Sequence, residues 1–498
     1  MDALDLSNLA SFAWSAPEFV LAGGVVALIL LDLVVSRKEW LGEGALLLVA
    51  TATLLVGRMA GDGIGRTLFD RSVALDEFAI FFKLLLLLSS FATIWMSIGS
   101  REVKRSSQGE YYAILIAATL AMLFMASANN LLVAYLSLEF LSLCSYVLTG
   151  FAQNRRRSGE ASLKYLIYGG VASGVMIYGM SWLYGLAGSL DFAAIQAVLA
   201  KGDGASLALY IALVLTLVGL GYKISAFPMH MWAPDVYEGA PIPVTAFLAV
   251  GSKAAGFALT IRFLFTAMAR SDGAGGFEML GGVGWDDLIL GLSVATMTFG
   301  NLAALNQQSN VKRLLAYSSI AHAGYLLMGI VVLNGDGLRA MLFYLSIYYI
   351  MNLGAFVVVM LVSNSTGRED LAAYRGLAWR GGALPAVAMA VFMFSLTGLP
   401  PLAGFVGKFY LFAAVIQKQL YLLAVVGVLN SVLSLFYYAK IVRTMFLEQP
   451  TGDEGAPIEV DWHNGVLLGL LTLATLVLGL WWQPLIAFAD RSARFFPG

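Results

Sequence analysis

Long apolar runs follow one another along the whole chain, with only short polar segments between them. Each run has about the 20 residues that a helix needs to cross a hydrocarbon core of roughly 30 Å. We therefore predict an all-α polytopic membrane protein with about 14 transmembrane helices, folded as a single membrane-embedded unit over residues 1–498. The predicted spans are 17–35, 41–60, 74–98, 111–128, 130–151, 162–185, 206–229, 243–268, 284–305, 311–332, 337–362, 384–417, 420–446 and 464–490.

The composition agrees with a membrane protein, since 59% of the residues are hydrophobic and only 12% are charged. A soluble domain carries about 25% charged residues. The net charge of −1 gives no sign of a nucleic-acid partner. Cys144 is the single cysteine, which excludes an internal disulfide, an iron–sulfur cluster and a thiolate zinc site in this chain. With no Walker A loop, dinucleotide motif or metal-spaced histidine pair, we expect no cofactor in this chain.

Basic residues in the loops predict the orientation of the chain in the membrane. With the N-terminus placed outside, the inner loops hold fifteen Lys and Arg residues and the outer loops hold nine. Inner loops normally carry the excess of positive charge. We therefore expect an even number of spans and both termini on the outer, periplasmic side.

Two of the apolar runs contain helix-breaking residues. The seventh carries Pro228, and the twelfth carries Pro400 and Pro401. Proline lacks a backbone donor and clashes with the preceding turn, so both helices should be broken. Broken helices at corresponding positions are typical of transporters with two inverted repeats. From helix order we predict a three-helix segment at 1–110, five-helix repeats at 111–270 and 284–446, and a C-terminal helix at 447–498.

Charged residues lie inside the predicted spans, where a charge at the bilayer centre costs about 2.5–3.5 kcal/mol on insertion scales. The basic ones are Lys83, Lys164, Lys223, Lys253, Arg262 and Lys408. Residues that cost this much usually have a task. Five polar residues on five different helices share one depth, which predicts a row parallel to the membrane plane; they are Glu139, Lys223, Lys253, His322 and Lys408.

Glu139 and Lys223 are the predicted start of this row. We expect an ionised Glu139 to be the partner of Lys223, which lies just before the break at Pro228. A buried lysine near a carboxylate can take up and release a proton at neutral pH. Two simpler interpretations stay open: a protonated Glu139 that bonds a neighbour, and a fixed ion pair of Glu139 with Lys223.

The other members of the row have less specific surroundings. Lys253 lies among small residues that permit close helix packing, and Lys408 follows the second break. His322 is either a proton relay or a histidine that bonds a carbonyl. Lys164, near the inner end of its span, either takes part in the site or snorkels to the surface.

Three further residues are weaker candidates. We expect Arg262, near the outer end of its span, to snorkel into the headgroup region. His230 is predicted to be either a surface residue or a point of proton uptake on the inner side. Lys83 is mid-span but lies outside the predicted repeats, so we assign it no role.

Three motifs resemble one known family. The segments Gly221–Pro241, Val311–Ile320 and Gly398–Lys408 are similar to signatures of the N subunits of NADH–quinone oxidoreductase, respiratory complex I. The first motif is specific, because its end at Pro234–Pro241 resembles N subunits rather than the L and M subunits or Mrp-type antiporters. The resemblance covers essentially the whole chain in helix order and spacing.

The resemblance implies an antiporter-like proton-translocating subunit with two inverted repeats, coupled to electron transfer from NADH to quinone in other subunits. NADH, FMN, iron–sulfur clusters and quinone are expected there. The implied partners are other membrane subunits of complex I, including further antiporter-like ones, together with lipid and protons. By motif, Glu139 would be the acidic partner, Lys223 the central proton-binding lysine, Lys253 the connecting lysine, Lys408 the lysine of the second half, and Lys164 a lysine found on the sixth helix of relatives.

Our hypothesis is that a change in the charge of Glu139 makes Lys223 pass its proton to Lys253, His322 and Lys408. An autonomous Mrp-type cation/proton antiporter is the alternative, and a membrane scaffold without transport is a third interpretation. Length and loop charges favour a bacterial inner membrane over a mitochondrial or plastid membrane.

Overall fold

The computed structural model describes residues 7–60, 65–104, 107–201, 207–273, 276–280, 282, 284–307, 309–449 and 457–494. The predicted chain ends at 1–6 and 495–498 and the start of the seventh span at residue 206 lie outside these residues. The helices are α1 Ser7–Trp14, α2 Ala16–Val34, α3 Glu39–Met59, α4 Glu77–Ile98, α5 Gln108–Ser127, α6 Leu131–Thr149, α7 Arg156–Ala187, α8 Phe192–Leu199, α9 Leu207–Ile224, α10 Trp232–Gly239, α11 Ile242–Phe247, α12 Lys253–Ala267, α13 Trp285–Asn306, α14 Val311–Val331, α15 Gly335–Thr366, α16 Ala383–Thr397, α17 Ala403–Gln417, α18 Tyr421–Leu447, α19 Trp462–Leu480 and α20 Gln483–Ala493.

Within the described residues, thirteen helices are long and apolar enough to cross a membrane, or fourteen if one bent pair is counted as a span. The predicted polytopic helical fold is therefore confirmed. α11 and α12 form a single span, joined by the π-helical turn Leu248–Ser252. The last predicted run is two helices instead of one, because α19 ends before Trp481 and α20 starts with Gln483 and Pro484.

Two short hairpins lie in the connections between helices. Strand β1 (Gly65–Leu68) pairs antiparallel with β2 (Val73–Asp76), and β3 (Ala269–Ser271) pairs antiparallel with β4 (Phe277–Met279). Neither has the length of a membrane-crossing strand, which needs about 9–11 residues. The spanning part described here is helical.

Both proline-containing spans are interrupted where the sequence predicts. α9 ends at Ile224, and turns lead from Ser225, which has φ of +60°, to α10. α16 ends at Thr397, and Gly398 adopts φ of +94° before α17 begins at Ala403. Glycine adopts a positive φ at little cost, so Gly398 suits this helix end. Lys223 therefore lies just before the first helix break, and Lys408 lies shortly after the second.

The starts of α6 and α14 share the same local structure. Asn130 caps α6 and forms a β-bridge with Asp191, which caps α8. Asn310 caps α14 in the same way and forms a β-bridge with Asp370, which caps the 3-10 turn Leu371–Tyr374. The segments that begin at Asn130 and Asn310 therefore share the same type of helix cap and the same type of β-bridge.

The correspondence extends to the helices that follow. α7 and α15 both have 32 residues, and each ends at a left-handed glycine, Gly188 with φ of +66° and Gly367 with φ of +69°. α6 and α14 are the fifth and tenth spans. Because spans alternate in direction, the matching segments run oppositely, as inverted repeats require. The boundaries 111–270 and 284–446 stay a prediction.

Three spans form the centre of the bundle. The apolar windows of α14 and α15 are each 94% buried, and that of the span made by α11 and α12 is 100% buried. By contrast, α2 and α19 are 28% and 33% buried. Lys253 and His322 therefore lie on helices that have little contact with lipid.

A buried ion pair joins α12 to the start of α4. Arg262 donates to the two oxygens of Asp76 at 2.8 and 2.9 Å, and the side chains are 0% and 1% exposed. Arg262 also donates to the carbonyl of Ala126 at 3.1 Å. The prediction that Arg262 snorkels is wrong, because Asp76 supplies a partner inside the protein.

We expect Arg262→Met to destabilise the folded chain by about 3–5 kcal/mol, because it leaves the carboxylate of Asp76 buried and unpaired. The measurement is thermal unfolding of the purified full chain in mild detergent. Adding Asp76→Asn should recover part of the loss. The control is Arg270→Met, whose ion pair with Glu278 is 50% and 56% exposed and should matter little. Equal stability of the two arginine variants would contradict the structural role.

Candidate functional site

Lys223 lies in the last turn of α9 and is 1% exposed. Its ammonium donates to the hydroxyl of Ser142 on α6 at 3.2 Å. Among the described residues it forms no ion pair with Glu139. The alternative of a fixed ion pair between Glu139 and Lys223 is therefore not what the structure has: Ser142, one turn further along α6, is the group in contact with Lys223.

Glu139 lies closer to the surface of the chain than expected. Its side chain is half-buried, between the exposed Leu136 and Phe140. One carboxylate oxygen, Oε1, is buried and has no hydrogen-bond partner among the described residues. A proton or a partner on this oxygen would remove the cost of leaving it buried without a hydrogen bond.

Lys253 follows directly after the π-helical turn and is 2% exposed. It donates to the carbonyl oxygen of Ser319 on α14 at 2.9 Å and to the hydroxyl of the same residue at 2.6 Å. Gly256, one turn later, lets α9 approach, since a Cβ there would lie 3.1 Å from Cγ of Lys223. The stems of the two lysines are thus held on closely packed helices.

His322 uses both ring nitrogens. Nδ1 lies 2.6 Å from the hydroxyl of Tyr344 on α15, and Nε2 lies 3.2 Å from the hydroxyl of Tyr438 on α18. The hydroxyl of Tyr438 also contacts Ser318. The interpretation in which His322 bonds a carbonyl does not match this geometry, since its partners are hydroxyls that can donate or accept.

Lys408 is 4% exposed and is held by neutral groups. It donates to the carbonyl of Thr397 at 3.0 Å and to the hydroxyl of Ser431 at 3.1 Å. Its ammonium also lies 4.5 Å from the ring centre of Tyr325, a cation–π contact. Beside it, between α17 and α18, is an apolar groove of about 320 Å³ that opens at the surface of the chain.

One face of α14 connects most of the row. Ser319 binds Lys253, Ser318 contacts Tyr438, His322 follows one turn later, and Tyr325 contacts Lys408. Sequence reasoning found only the histidine of this set. The signal that could have found the others is their spacing of three and four residues, which puts hydroxyl groups on one helix face.

Lys164 lies apart from the row. It pairs with Glu160 at 2.9 Å and with Asp235 at 2.8 Å, and its side chain is 40% exposed. Arg313 and Glu238 complete this charged cluster around a cavity of about 170 Å³. Lys164 therefore contacts carboxylates at the surface and none of the groups that hold the row.

Two other candidates are resolved by their contacts. His230 is 2% exposed and packs against Phe227 and Phe299 at ring distances of 5.5 and 4.3 Å, so it is not a surface residue. Lys83 pairs with Glu18 of α2 at 2.7 Å, both buried. Sequence reasoning gave Lys83 no role and did not consider Glu18.

No group of three or more His, Cys, Asp or Glu side chains is placed to hold a metal ion in the described part of the chain. The described site consists of lysines, one histidine, one carboxylate and hydroxyl groups. Such groups can hold, accept and donate protons. The arrangement is therefore suited to moving charge in the form of protons.

The fold and the row define an antiporter-like membrane subunit. Residues 128–434 match the family described as NADH:quinone oxidoreductase/Mrp antiporter, TM. The chain is also similar in fold to a subunit of the Mrp complex from Dietzia sp. DQ12-45-1b, with a TM-score of 0.83 at 22% identity over 97% of both chains. That likeness concerns the fold alone.

Relatives of higher sequence identity show to which branch of this family the chain belongs. The NADH-quinone oxidoreductase subunit N of Anaeromyxobacter sp. (strain Fw109-5) is 46% identical over 99% of this chain and 98% of its own length. A chain of respiratory complex I from Thermus thermophilus is 31% identical with a TM-score of 0.78, covering 95% of this chain and 99% of its own. The chain belongs to the family of N subunits of NADH–quinone oxidoreductase. The motif-based resemblance is thereby confirmed and favoured over the Mrp-type alternative.

The charged cluster around Lys164 gives a pH-dependent prediction. Asp235 lies on α10, outside the spanning helices. Burial would raise the pKa of Asp235, but hydrogen bonds from Lys164 and Arg313 hold it below its usual value of 3.8. Its contribution to stability is therefore full above that usual pKa and is lost as the pH falls through the lower folded-state pKa.

Asp235→Asn should lower the unfolding temperature of the purified chain at neutral pH. The difference from the natural chain should shrink as the pH falls below the usual pKa of Asp235 and through its lowered folded-state pKa, where the folded chain itself takes up the proton. Thermal unfolding followed across this pH range is the measurement. Asp336→Asn, which removes a more exposed carboxylate paired with Arg339, is the control. A difference that stays constant with pH would refute the assignment.

Proposed function

We propose that this chain translocates protons across the membrane as a subunit of NADH–quinone oxidoreductase. Electron transfer from NADH through FMN and iron–sulfur clusters to quinone takes place in partner subunits and supplies the energy. The row Glu139, Lys223, Lys253, His322 and Lys408 carries the protons.

One contrast among the buried cations supports this role. Lys83, Arg262 and Lys312 are paired with the carboxylates of Glu18, Asp76 and Glu369. Among the described residues, the three lysines of the row have no carboxylate in contact and bind hydroxyl and carbonyl groups: Lys223, Lys253 and Lys408. A buried ammonium with a carboxylate partner is held in its charged form, whereas one with a neutral partner can lose its proton.

The hydroxyl partners suit both states of each lysine. A serine hydroxyl accepts a hydrogen bond from an ammonium and can rotate to donate one to a neutral amine. Ser142, Ser319 and Ser431 take this position beside Lys223, Lys253 and Lys408, respectively. Each lysine can therefore keep its serine partner in both its protonated and its neutral form.

The charge of Glu139 controls whether Lys223 keeps its proton. It lies one turn from Ser142 on α6, near Lys223 but not in contact with it. Moving one charge against 100 mV costs about 2.3 kcal/mol. Gaining or losing a charged neighbour inside a protein changes the energy of a buried lysine by several kcal/mol, which is enough to drive this step.

The two ends of the row support contacts with other membrane subunits. Glu139 is half-buried on α6, where a groove of about 230 Å³ runs between α6 and α7. Lys408 lies at the groove between α17 and α18. One end of the row is acidic and the other basic, so a further antiporter-like subunit arranged in the same direction would place unlike charges together. We propose such neighbours on both sides.

For localisation we propose a bacterial inner membrane with both termini on the periplasmic side. The support is the excess of Lys and Arg in alternate loops. Lys164, with its carboxylate partners Glu160 and Asp235, is assigned to the inner surface near the start of α7.

Replacing a lysine of the row should abolish proton transfer through this chain. We expect Lys223→Met, Lys253→Met and Lys408→Met to lower the rate of proton translocation about 10²-fold or more, in line with the loss of a proton-transfer group. Lys223→Arg should also fail, because arginine keeps the charge but does not release its proton. The measurement is proton uptake per NADH oxidised in vesicles that contain the whole complex.

The matched control is the double variant Glu18→Gln/Lys83→Gln. It removes an equally buried lysine that lies outside the row and leaves no unpaired charge. Pumping per assembled complex should stay unchanged. Normal pumping in all three row variants, at normal assembly, would sink the proposed function.

The proposed neighbours can be tested by chemical labelling. On a Cys144→Ser background, Leu136→Cys places a thiol on the surface of α6 near Glu139, and Val432→Cys places one on the groove near Lys408. Both side chains are more than half exposed in the single chain. A membrane-soluble maleimide should label both in the isolated chain and react at least about tenfold more slowly in the complex. Equal labelling rates in the two samples would contradict subunits at these faces.

A further inference from the structure

His322 is enclosed by two tyrosines from different helices. Tyr344 comes from α15 and Tyr438 from α18, and their hydroxyls reach opposite nitrogens of the imidazole at 2.6 and 3.2 Å. All three residues are at most 1% exposed. The ring has no other side chain within hydrogen-bond distance among the described residues.

The hydrogen bonds around His322 have a defined order of donors and acceptors. A neutral imidazole carries a proton on one nitrogen and a lone pair on the other. One tyrosine hydroxyl must therefore donate to His322 while the other accepts from it. Tyr344, His322 and Tyr438 form one hydrogen-bonded chain, and its direction depends on which nitrogen carries the proton.

The two ends of this chain lead toward the two neighbouring lysines. The hydroxyl of Tyr438 contacts Ser318, which is next to Ser319, the partner of Lys253. The ring of Tyr344 packs against Gly407, where an added Cβ would lie 2.5 Å from Cδ2 of the tyrosine. Gly407 precedes Lys408 on α17, so Tyr344 packs against the helix turn that carries the last lysine of the row.

We propose that Tyr438 and Tyr344 are proton-transferring residues that carry a proton through His322 between Lys253 and Lys408. This assignment rests on the proposed proton translocation and adds two residues that the motifs do not indicate. The two hydroxyls contact opposite nitrogens of the imidazole, so a side chain that only fills the space of either tyrosine cannot take over its role.

The transfer is balanced at every atom. A proton arriving at the oxygen of Tyr438 releases the hydroxyl proton to Nε2 of His322, where an N–H bond forms. The Nδ1–H bond breaks, and that proton binds the oxygen of Tyr344, whose own hydroxyl proton leaves toward Lys408. One proton enters and one leaves, both tyrosines end neutral, and the imidazole ends as the other neutral tautomer.

Two phenylalanine variants test the proposal by proton translocation. Tyr438→Phe and Tyr344→Phe keep each ring and remove only the hydroxyl. We expect each to lower proton translocation by the assembled complex about tenfold or more. The control is Tyr349→Phe, which removes a buried hydroxyl on the same helix as Tyr344 that is not a hydrogen-bond partner of His322. It should leave translocation unchanged.

A spectroscopic measurement separates proton transfer from packing. The chain has only three histidines, so histidine labelled with nitrogen-15 in the full chain in liposomes gives few resonances. Tyr438→Phe should shift the Nε2 resonance of His322, and Tyr344→Phe should shift Nδ1. The resonances of His230 and His463 should stay in place, as should all resonances in Tyr349→Phe.

The outcomes decide between the two proposals. If Lys223→Met stops translocation while both Tyr438→Phe and Tyr344→Phe translocate normally, the tyrosines are not proton-transferring residues and the proposed function stands. If Lys223→Met and the other lysine variants also translocate normally, the proposed function itself fails. An unshifted His322 spectrum in both tyrosine variants would overturn the hydrogen-bonded chain.

Discussion

A cation buried inside a membrane protein must find a partner, because the surrounding hydrocarbon offers neither water nor counter-ions. This chain meets the requirement in two ways. Arg262 near one membrane surface and Lys83 in the N-terminal segment have carboxylate partners and hold helices together. The lysines of the row have hydroxyls and carbonyls instead. The choice of partner separates the charges that hold the fold from those available for chemistry.

The helix α14 gives this arrangement its continuity. It lies at the centre of the bundle, and one face presents serine, histidine and tyrosine side chains to helices of both halves. A helix is a suitable element for this purpose, since residues three and four positions apart project to one side. The π-helical turn before Lys253 directs the lysine toward that face. The π-helical turn before Lys253 and the regular helix α14 thus together place this lysine beside Ser319.

Much of the fold followed from the sequence, because apolar length and proline position are strong physical signals. The spans and the two breaks were readable as a one-dimensional pattern, as were the helices that carry the five residues of the row. The partners were not. Arg262 was expected to reach outward because its partner Asp76 is distant in sequence and ends a short strand. The serines and tyrosines of the row were missed because hydroxyl groups are common in helices and become informative only when neighbouring helices are in place.

The matching caps at Asn130 and Asn310 carry a consequence for how a single chain can serve both faces of a membrane. Two segments that share these local features and run in opposite directions are related by a pseudo-two-fold axis in the membrane plane, so the same local rearrangement opens them toward opposite compartments. A shift that admits water to one half from one side admits it to the other half from the opposite side. Counted from the caps, Glu139 and Ser319 occupy equivalent positions, as do Ser142 and His322. One kind of motion can therefore serve both sides of the membrane, and the different side chains at equivalent positions give the two segments different chemistry.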